Sequence, residues 1–147
     1  MEVLFLRVAE ATYLAPLASL SEVLMAAALR PVPTAPGFLR GLLNLRGRVV
    51  PVIDLRERLN LPSRPHFQRR NRILRVEVGG RDLGVVVDEV RRIAVLDPAQ
   101  RRHLTLSGEG VEPFLGDLWE VDGELLQELH LSQLLSDAEL EALGTQT

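Results

Sequence analysis

The sequence predicts a mainly β fold, a barrel or a sandwich, on three observations. Short runs of apolar and β-branched residues recur along the whole chain. Turn-forming pairs separate them at frequent intervals, Gly79-Gly80 and Asp122-Gly123 above all. Convincing helical stretches are few, and the clearest opens only at Ser136.

The elements follow in order. Val3 to Val8 is apolar and β-favouring, and Thr12 to Leu17 can pair with it across the turn at Ala9-Glu10-Ala11. Ala18 to Arg30 is ambiguous: Leu17, Leu20, Leu24 and Ala28 follow helical spacing, and Ala26-Ala27-Ala28 favours helix by propensity. Pro31, Pro33 and Pro36 interrupt regular structure as far as Gly37, and a helical turn is expected over Phe38 to Leu43. Arg48 to Leu55 is a strand. Pro51 places it at an edge or a bulge, because proline lacks the N–H that a ladder uses. One turn of helix from Arg56 to Asn60 ends at Leu61-Pro62. Ser63 to Asn71 is polar and basic, a surface connector and the expected boundary between two halves.

The second half opens with a hairpin, Ile73 to Val78 and Leu83 to Val87, turning at Gly79-Gly80. Ile93 to Leu96 is a further strand, stopped by Asp97-Pro98. Thr105 to Pro113, with Gly108 and Gly110, is a loop. Leu118 to Val121 and Leu125 to Leu131 form a second hairpin over Asp122-Gly123. Ser136-Asp137-Ala138-Glu139 has the capping-box pattern, in which hydroxyl and carboxylate each satisfy an orphan N–H at the start of a final helix.

Length and charge narrow the function. The 147 residues suit one domain spanning 1–147, with 46% hydrophobic content and a real core. A net charge of −3 provides no field that would gather nucleic acid or anionic lipid. Without cysteine there is no disulfide, thiol catalysis or thiolate metal site. Met1 to Arg7 carries an early acid and only a short apolar run, unlike a signal peptide. The longest uncharged stretch, Ala11 to Ser21, falls short of the ~20 residues a spanning helix needs. A soluble, cytoplasmic protein with no membrane insertion is expected.

Catalytic patterns are missing. No dinucleotide fingerprint, P-loop, nucleophile elbow or H-E-x-x-H occurs. His66, His103 and His130 lie far apart without ligand spacing. The glycines of Ser107-Gly108-Glu109-Gly110 surround an acid that would repel phosphate. Asp88 and Glu89 are neighbours whose side chains on a strand would face opposite ways. No catalytic residue, metal site or cofactor is expected, and the chain is not an enzyme. The main rival signal is the basic strip Arg64, Arg69, Arg70, Arg72 and Arg75, which in a small β-barrel could bind single-stranded nucleic acid. Such sites add exposed aromatics on which bases stack. Phe67 is the only aromatic in the strip, so it is better taken as a solvated linker with no nucleic-acid partner.

One stretch carries more information. In Gly41-Leu42-Leu43-Asn44-Leu45-Arg46-Gly47, Asn44 can bond its own backbone in a bend, and Gly47 can take a positive φ and start the next strand. Arg46 is then held on a rigid corner, where its planar fork suits a carboxylate, from a partner or from this chain. From Pro33 to Leu55 the sequence resembles the signature of the CheW-like domain family, a proline-rich approach followed by G-x-x-N-L-R-G-x-x-x-P-V-x-D-L. Tyr13 to Leu17 and Ser21-Glu22-Val23-Leu24 are similar to the family's early strand and its E-V element. Leu83 to Val90 resembles its G-L-V-V-D-x-V strand, and Gly116 to Leu135 matches its closing hairpin and helix more loosely.

The resemblance implies two intertwined five-stranded SH3-like (OB-like) barrels, a hydrophobic core between them and a short C-terminal helix. It implies a non-catalytic scaffold that joins the regulatory domain of a CheA-type histidine kinase to the tips of methyl-accepting receptors, which bind the groove between the barrels. Glu22 and Arg46 match positions associated with partner contacts, Asn44 and Gly47 flank Arg46 in the same motif, and Leu20 matches an apolar position at the receptor groove. The same domain would serve a non-flagellar pathway, such as pilus motility or second-messenger control. Two departures stand out: Met25 to Leu29 is more helix-prone than the family pattern, and Gln127, Glu128 and His130 are more polar.

Overall fold

The structure, a computed structural model, describes residues 1–103 and 112–144. Strand β1 (Glu2–Val8) pairs with β2 (Ala11–Pro16), from Val3 opposite Pro16 to Val8 opposite Ala11. Val3 and Phe5 point to one face of β1, and Leu4, Leu6 and Val8 to the other. All five are buried. This explains why β1 reads as a continuous apolar run rather than an alternation: it separates two cores.

A 3-10 turn (Leu17–Ser19) carries the chain out of this sheet and into β3 (Glu22–Met25). Strands β4 (Leu39–Leu45) and β5 (Arg48–Asp54) follow, then helix α1 (Leu55–Arg58), β6 (Arg72–Val78) and β7 (Arg81–Val87). These five strands form one sheet in the order β3-β6-β7-β5-β4. One residue, Asp88, separates β7 from β8 (Glu89–Val95), which returns to the first sheet against β1. Strands β9 (Arg101–Arg102), β10 (Leu115–Val121) and β11 (Glu124–Leu129) complete that sheet, in the order β8-β1-β2-β11-β10-β9. The two barrels are intertwined because the chain leaves the first after β2 and re-enters it at β8.

Three apolar clusters result. Val3, Phe5, Leu14, Leu96, Trp119, Val121 and Leu126 fill the first barrel. Leu43, Val50, Val52, Ile73 and Val86 fill the second. The largest lies between the sheets, where Leu4 and Leu6 meet Leu74, Val76, Val85 and Leu129.

Asp88 holds the crossing between the sheets. Its carboxylate accepts the Ala9 N–H at 2.6 Å and Arg56 Nε and Nη2 at 2.9 and 2.6 Å, and its own N–H donates to Arg7 O at 3.1 Å. Buried Asn71 donates to the Asp88 carbonyl at 3.0 Å. Burial pushes the Asp88 carboxyl up, but the bonds from Arg56 and Ala9 outweigh it and hold the group below its ordinary range. The capping box forms as expected: Ser136 Oγ accepts the Glu139 N–H at 3.1 Å, Glu139 accepts the Ser136 N–H at 2.9 Å, and α2 (Asp137–Ala142) follows. Arg58 pairs with Glu139 at 2.8 Å and Arg81 donates to Leu140 O at 2.7 Å, fastening α2 to the second barrel.

Several local expectations are corrected. The helical spacing over Ala18 to Arg30 does not produce a helix, because Glu22–Met25 alternates in burial and pairs with β6. The chain beyond β3 then crosses to β4, where Arg30 and Leu42 exchange hydrogen bonds of 2.8 and 2.9 Å that link the two ends of the sheet. Gly41 makes room for this closure: a Cβ there would lie 2.8 Å from Leu29 Cβ and 3.0 Å from Arg30 O. The helical turn expected over Phe38 to Leu43 does not form: Leu39 to Leu43 belong to strand β4, which pairs with β5, and Leu42 adds a single bridge to Arg30.

Pro51 lies in an interior strand, not at an edge or a bulge. Its partner Leu42 turns its own N–H and C=O toward Arg30, so Leu42 and Pro51 form a non-hydrogen-bonded pair. The pairing with β7 begins one residue later, at Val52, so the missing N–H interrupts no ladder. The connector, Ser63 to Asn71, does not divide the barrels, because it joins α1 to β6 within the second one. The chain passes between sheets at Leu17–Ser19 and at the single residue Asp88, both too short to stand out as a polar linker. The first sheet has a sixth, two-residue strand, β9. Most of the loop expected from Thr105 to Pro113 lies outside the described residues.

Candidate partner-binding site

Four of the five residues singled out in the sequence meet at one end of the second barrel. Strands β4 and β5 are joined by a two-residue turn, Arg46-Gly47, with φ of +51° and +82°. Positive φ at both positions is the geometry whose twist matches an antiparallel hairpin, and glycine adopts it without strain. Asn44 Oδ1 accepts the Gly47 N–H at 3.1 Å, closing the bend. Arg46 projects from this corner and donates Nη2 and Nη1 to Glu22 Oε1 and Oε2, at 2.8 and 3.2 Å.

Glu22 begins β3 directly opposite Arg75 on β6, and Arg75 Nε donates to Glu22 Oε1 at 3.1 Å. Arg75 Nη1 reaches Asp82 Oδ1 at 3.0 Å, and Arg48 Nη2 lies 2.6 Å from Asp82 Oδ2. A ladder of alternating charge therefore runs Arg46, Glu22, Arg75, Asp82, Arg48. It caps the apolar interior of the second barrel, whose neighbouring positions on the same strands are Leu24, Ile73 and Val50. Exposure falls along it, from 66% for the Arg46 side chain to 28% for Glu22, 17% for Arg75 and 3% for Asp82. Its inner members are fixed, and both ends, Arg46 and the 67%-exposed Arg48, face solvent. Hydrogen bonds from Arg46, the largest influence, and then Arg75 hold the Glu22 carboxyl below its ordinary range, against a smaller desolvation.

Leu20 sits apart. It is half-buried and packs on the core between the sheets, not in the second barrel. The structure also shows apolar surface that the sequence did not single out. Val23 pairs with Leu74, which belongs to the inter-sheet core, so Val23 and Met25 share that face of β3 and extend it into solvent at 44% and 67% exposure. Ile93 pairs with Leu4, another member of that core, and Val95 shares its face of β8, at 57% and 74% exposure. Each sheet thus ends in a strand whose inter-barrel face is apolar and open. The β3 half was hidden by the helical spacing of its residues, and the β8 half by Arg91-Arg92 in its middle.

Arg75 belongs to the charge ladder and not to a solvated linker. The polar residues of β11 are satisfied internally: buried Glu128 accepts the Trp119 indole N–H at 2.8 Å and lies 3.3 Å from His130 Nε2, and Gln127 donates to Gly116 O at 2.7 Å. Among the described residues no cluster of three or more His, Asp or Glu is arranged to hold a metal ion, and no helix is long and apolar enough to cross a membrane.

Comparison with known proteins gives a consistent answer. Residues 2–139 match the family model of the CheW-like domain. The chain is 28% identical over 130 residues to the chemotaxis protein CheW of Treponema pallidum, covering 84% of this chain and 75% of that protein. It is 31% identical over 125 residues to Protein FrzA of Myxococcus xanthus, covering 84% and 78%. Its fold superposes on the crystal structure of the scaffolding protein TtCheW of Thermoanaerobacter tengcongensis with a TM-score of 0.80, at 26% identity and 90% coverage of both chains.

Proposed function

The chain belongs to the CheW-like domain family, and from that premise we propose that it is a non-catalytic scaffold of a cytoplasmic chemosensory array. It couples the tips of methyl-accepting receptors to the regulatory domain of a CheA-type histidine kinase. The observation that carries this proposal is the apolar inter-barrel face left open on both β3 and β8. Receptor tips are helical hairpins, and an amphipathic helix seats its apolar side in such a groove with polar groups at the rim. Ile93, Val95, Val23 and Met25 are the open positions, and Leu20 packs on the same inter-sheet core. The Arg46–Glu22 pair, at the barrel end, supplies a charged contact for the kinase. That regulatory domain is expected to have the same fold and to dock end-on. A second reading, the same scaffold in a non-flagellar pathway, rests on the likeness to a relative called Protein FrzA rather than a chemotaxis protein.

A pull-down from native cytoplasm with the tagged chain tests the proposal. Recovery of a histidine kinase together with receptors supports it, and loss of the receptors alone in Ile93→Ser assigns the groove. Recovery of neither by the folded protein overturns it.

A further inference from the structure

Four arginines from three parts of the chain line one cavity of about 240 Å³ at the junction of the two barrels. Arg7 comes from β1 and Arg56 from α1, while Arg64 and Arg70 come from the connector. The basic connector is therefore folded back on the seam, not spread along a solvated linker. Two of the four are already engaged. Arg56 is bound to Asp88 and to Pro62 O at 3.1 Å, and Arg7 Nε donates to Ala9 O at 2.9 Å. Among the described residues, the guanidiniums of Arg64 and Arg70 make no hydrogen bond or close ion pair, and Arg64 acts on Asp88 only through its charge at longer range.

Three carboxylates also border the cavity, and each is accounted for. Asp88 is enclosed by Arg56 and the Ala9 N–H, Glu89 is drawn to Arg91 at 3.6 Å, and the Glu10 side chain is 98% exposed. We propose that this cavity binds a tetrahedral oxyanion of the phosphate class. Each of these two guanidiniums is a rigid planar fork whose paired N–H donors are not yet hydrogen-bonded. A carboxylate would satisfy one fork and leave the other bare, whereas a dianion with four oxygens matches both. No aromatic lines the cavity, so it offers no stacking platform for a nucleic-acid base. A bound anion ties the connector to β1 and α1, and because only the folded chain assembles the site, it stabilises the fold.

Isothermal titration of the full chain with inorganic phosphate, in chloride buffer at constant ionic strength, tests the site. Saturable one-to-one binding is expected, with the dissociation constant raised at least about tenfold in Arg64→Gln/Arg70→Gln, as for the loss of charge-assisted bonds. Arg92→Gln/Arg102→Gln, outside the cavity and paired with residues that do not line it, should bind phosphate like the parent, and acetate at equal concentration should not compete. Melting curves without phosphate establish that each variant is folded. Arg70→Gln, at an exposed position, stands in if the double variant melts early. Absence of saturable binding, equal affinity in the connector variants, or competition by acetate would each overturn the assignment.

Discussion

Arg46 and Glu22, 24 positions apart in the chain, meet in a two-point ion pair at the open end of the second barrel. The pair is one end of a ladder that is buried at Asp82 and opens to solvent again at Arg48. Exposed ion pairs contribute little to stability, because water and salt screen them and both side chains lose freedom. A pair placed at a barrel end, with its inner rungs fixed, is better suited to recognition than to holding the fold.

For that reason Arg46→Ala should weaken kinase or receptor binding by about tenfold or more, the scale of a lost charge-assisted bond, with the melting temperature nearly unchanged. Arg46→Lys, which keeps the charge but loses the two-point fork, should weaken affinity less than Arg46→Ala. Titration of each variant beside its melting curve checks this. Unchanged affinity in Arg46→Ala would make the residue a bystander.

The Asp88–Arg56 pair behaves oppositely. It is buried, joins β1 to α1 at the crossing between sheets, and leaves an uncompensated charge when broken. Arg56→Met should destabilise the protein by roughly 3 kcal/mol, measured by denaturant unfolding.

Acid should expose the same difference. Asp88 and Glu139 have folded pKa values below their unfolded ones, so their stabilisation is present above about pH 4 and is lost as pH falls through the depressed values. Asp54 has the opposite sign: burial raises its pKa, so its contribution grows as pH falls. Net stability should drop in acid, and Asp88→Asn should flatten that drop. A parent protein whose melting temperature is independent of pH below about 4 would contradict the assignment.

Barrel closure gives a steric prediction. Gly41→Ala would press a methyl against Leu29 Cβ and the Arg30 carbonyl, both on the segment that closes the second sheet. Overpacking of this kind costs about 1–3 kcal/mol, readable by thermal or denaturant unfolding.

Much of this was legible in the sequence, and the exceptions have physical causes. The Asn44-Leu45-Arg46-Gly47 bend and the Ser136 capping box depend on contacts within four residues, so local chemistry shows them directly. Strand β3 was obscured because Leu20, Leu24 and Ala28 are spaced for a helix. Its partner β6 lies some 50 residues away, and only that pairing decides the matter. Pro51 was misplaced because its tolerance depends on which edge Leu42 presents, a tertiary fact. Arg75 looked like part of a basic linker until its register with Glu22 was known. Arg46 was expected to face a carboxylate, but nothing local identified that carboxylate as Glu22.

The groove separates two roles for neighbouring apolar residues. Leu20→Ser should lower the melting temperature by a few degrees and reduce receptor affinity more than kinase affinity, since Leu20 packs on the core beside the groove. Ile93→Ser, at an exposed position, should reduce receptor affinity alone. If Leu20→Ser lowers both affinities in proportion to stability, Leu20 is purely core.

The most direct measurement is reconstitution of the purified chain with a receptor cytoplasmic fragment and a kinase regulatory domain, read by analytical ultracentrifugation. A ternary complex should form in which Ile93→Ser loses only the receptor and Arg46→Ala weakens chiefly the kinase. A folded chain that sediments alone in the presence of both partners would contradict the account.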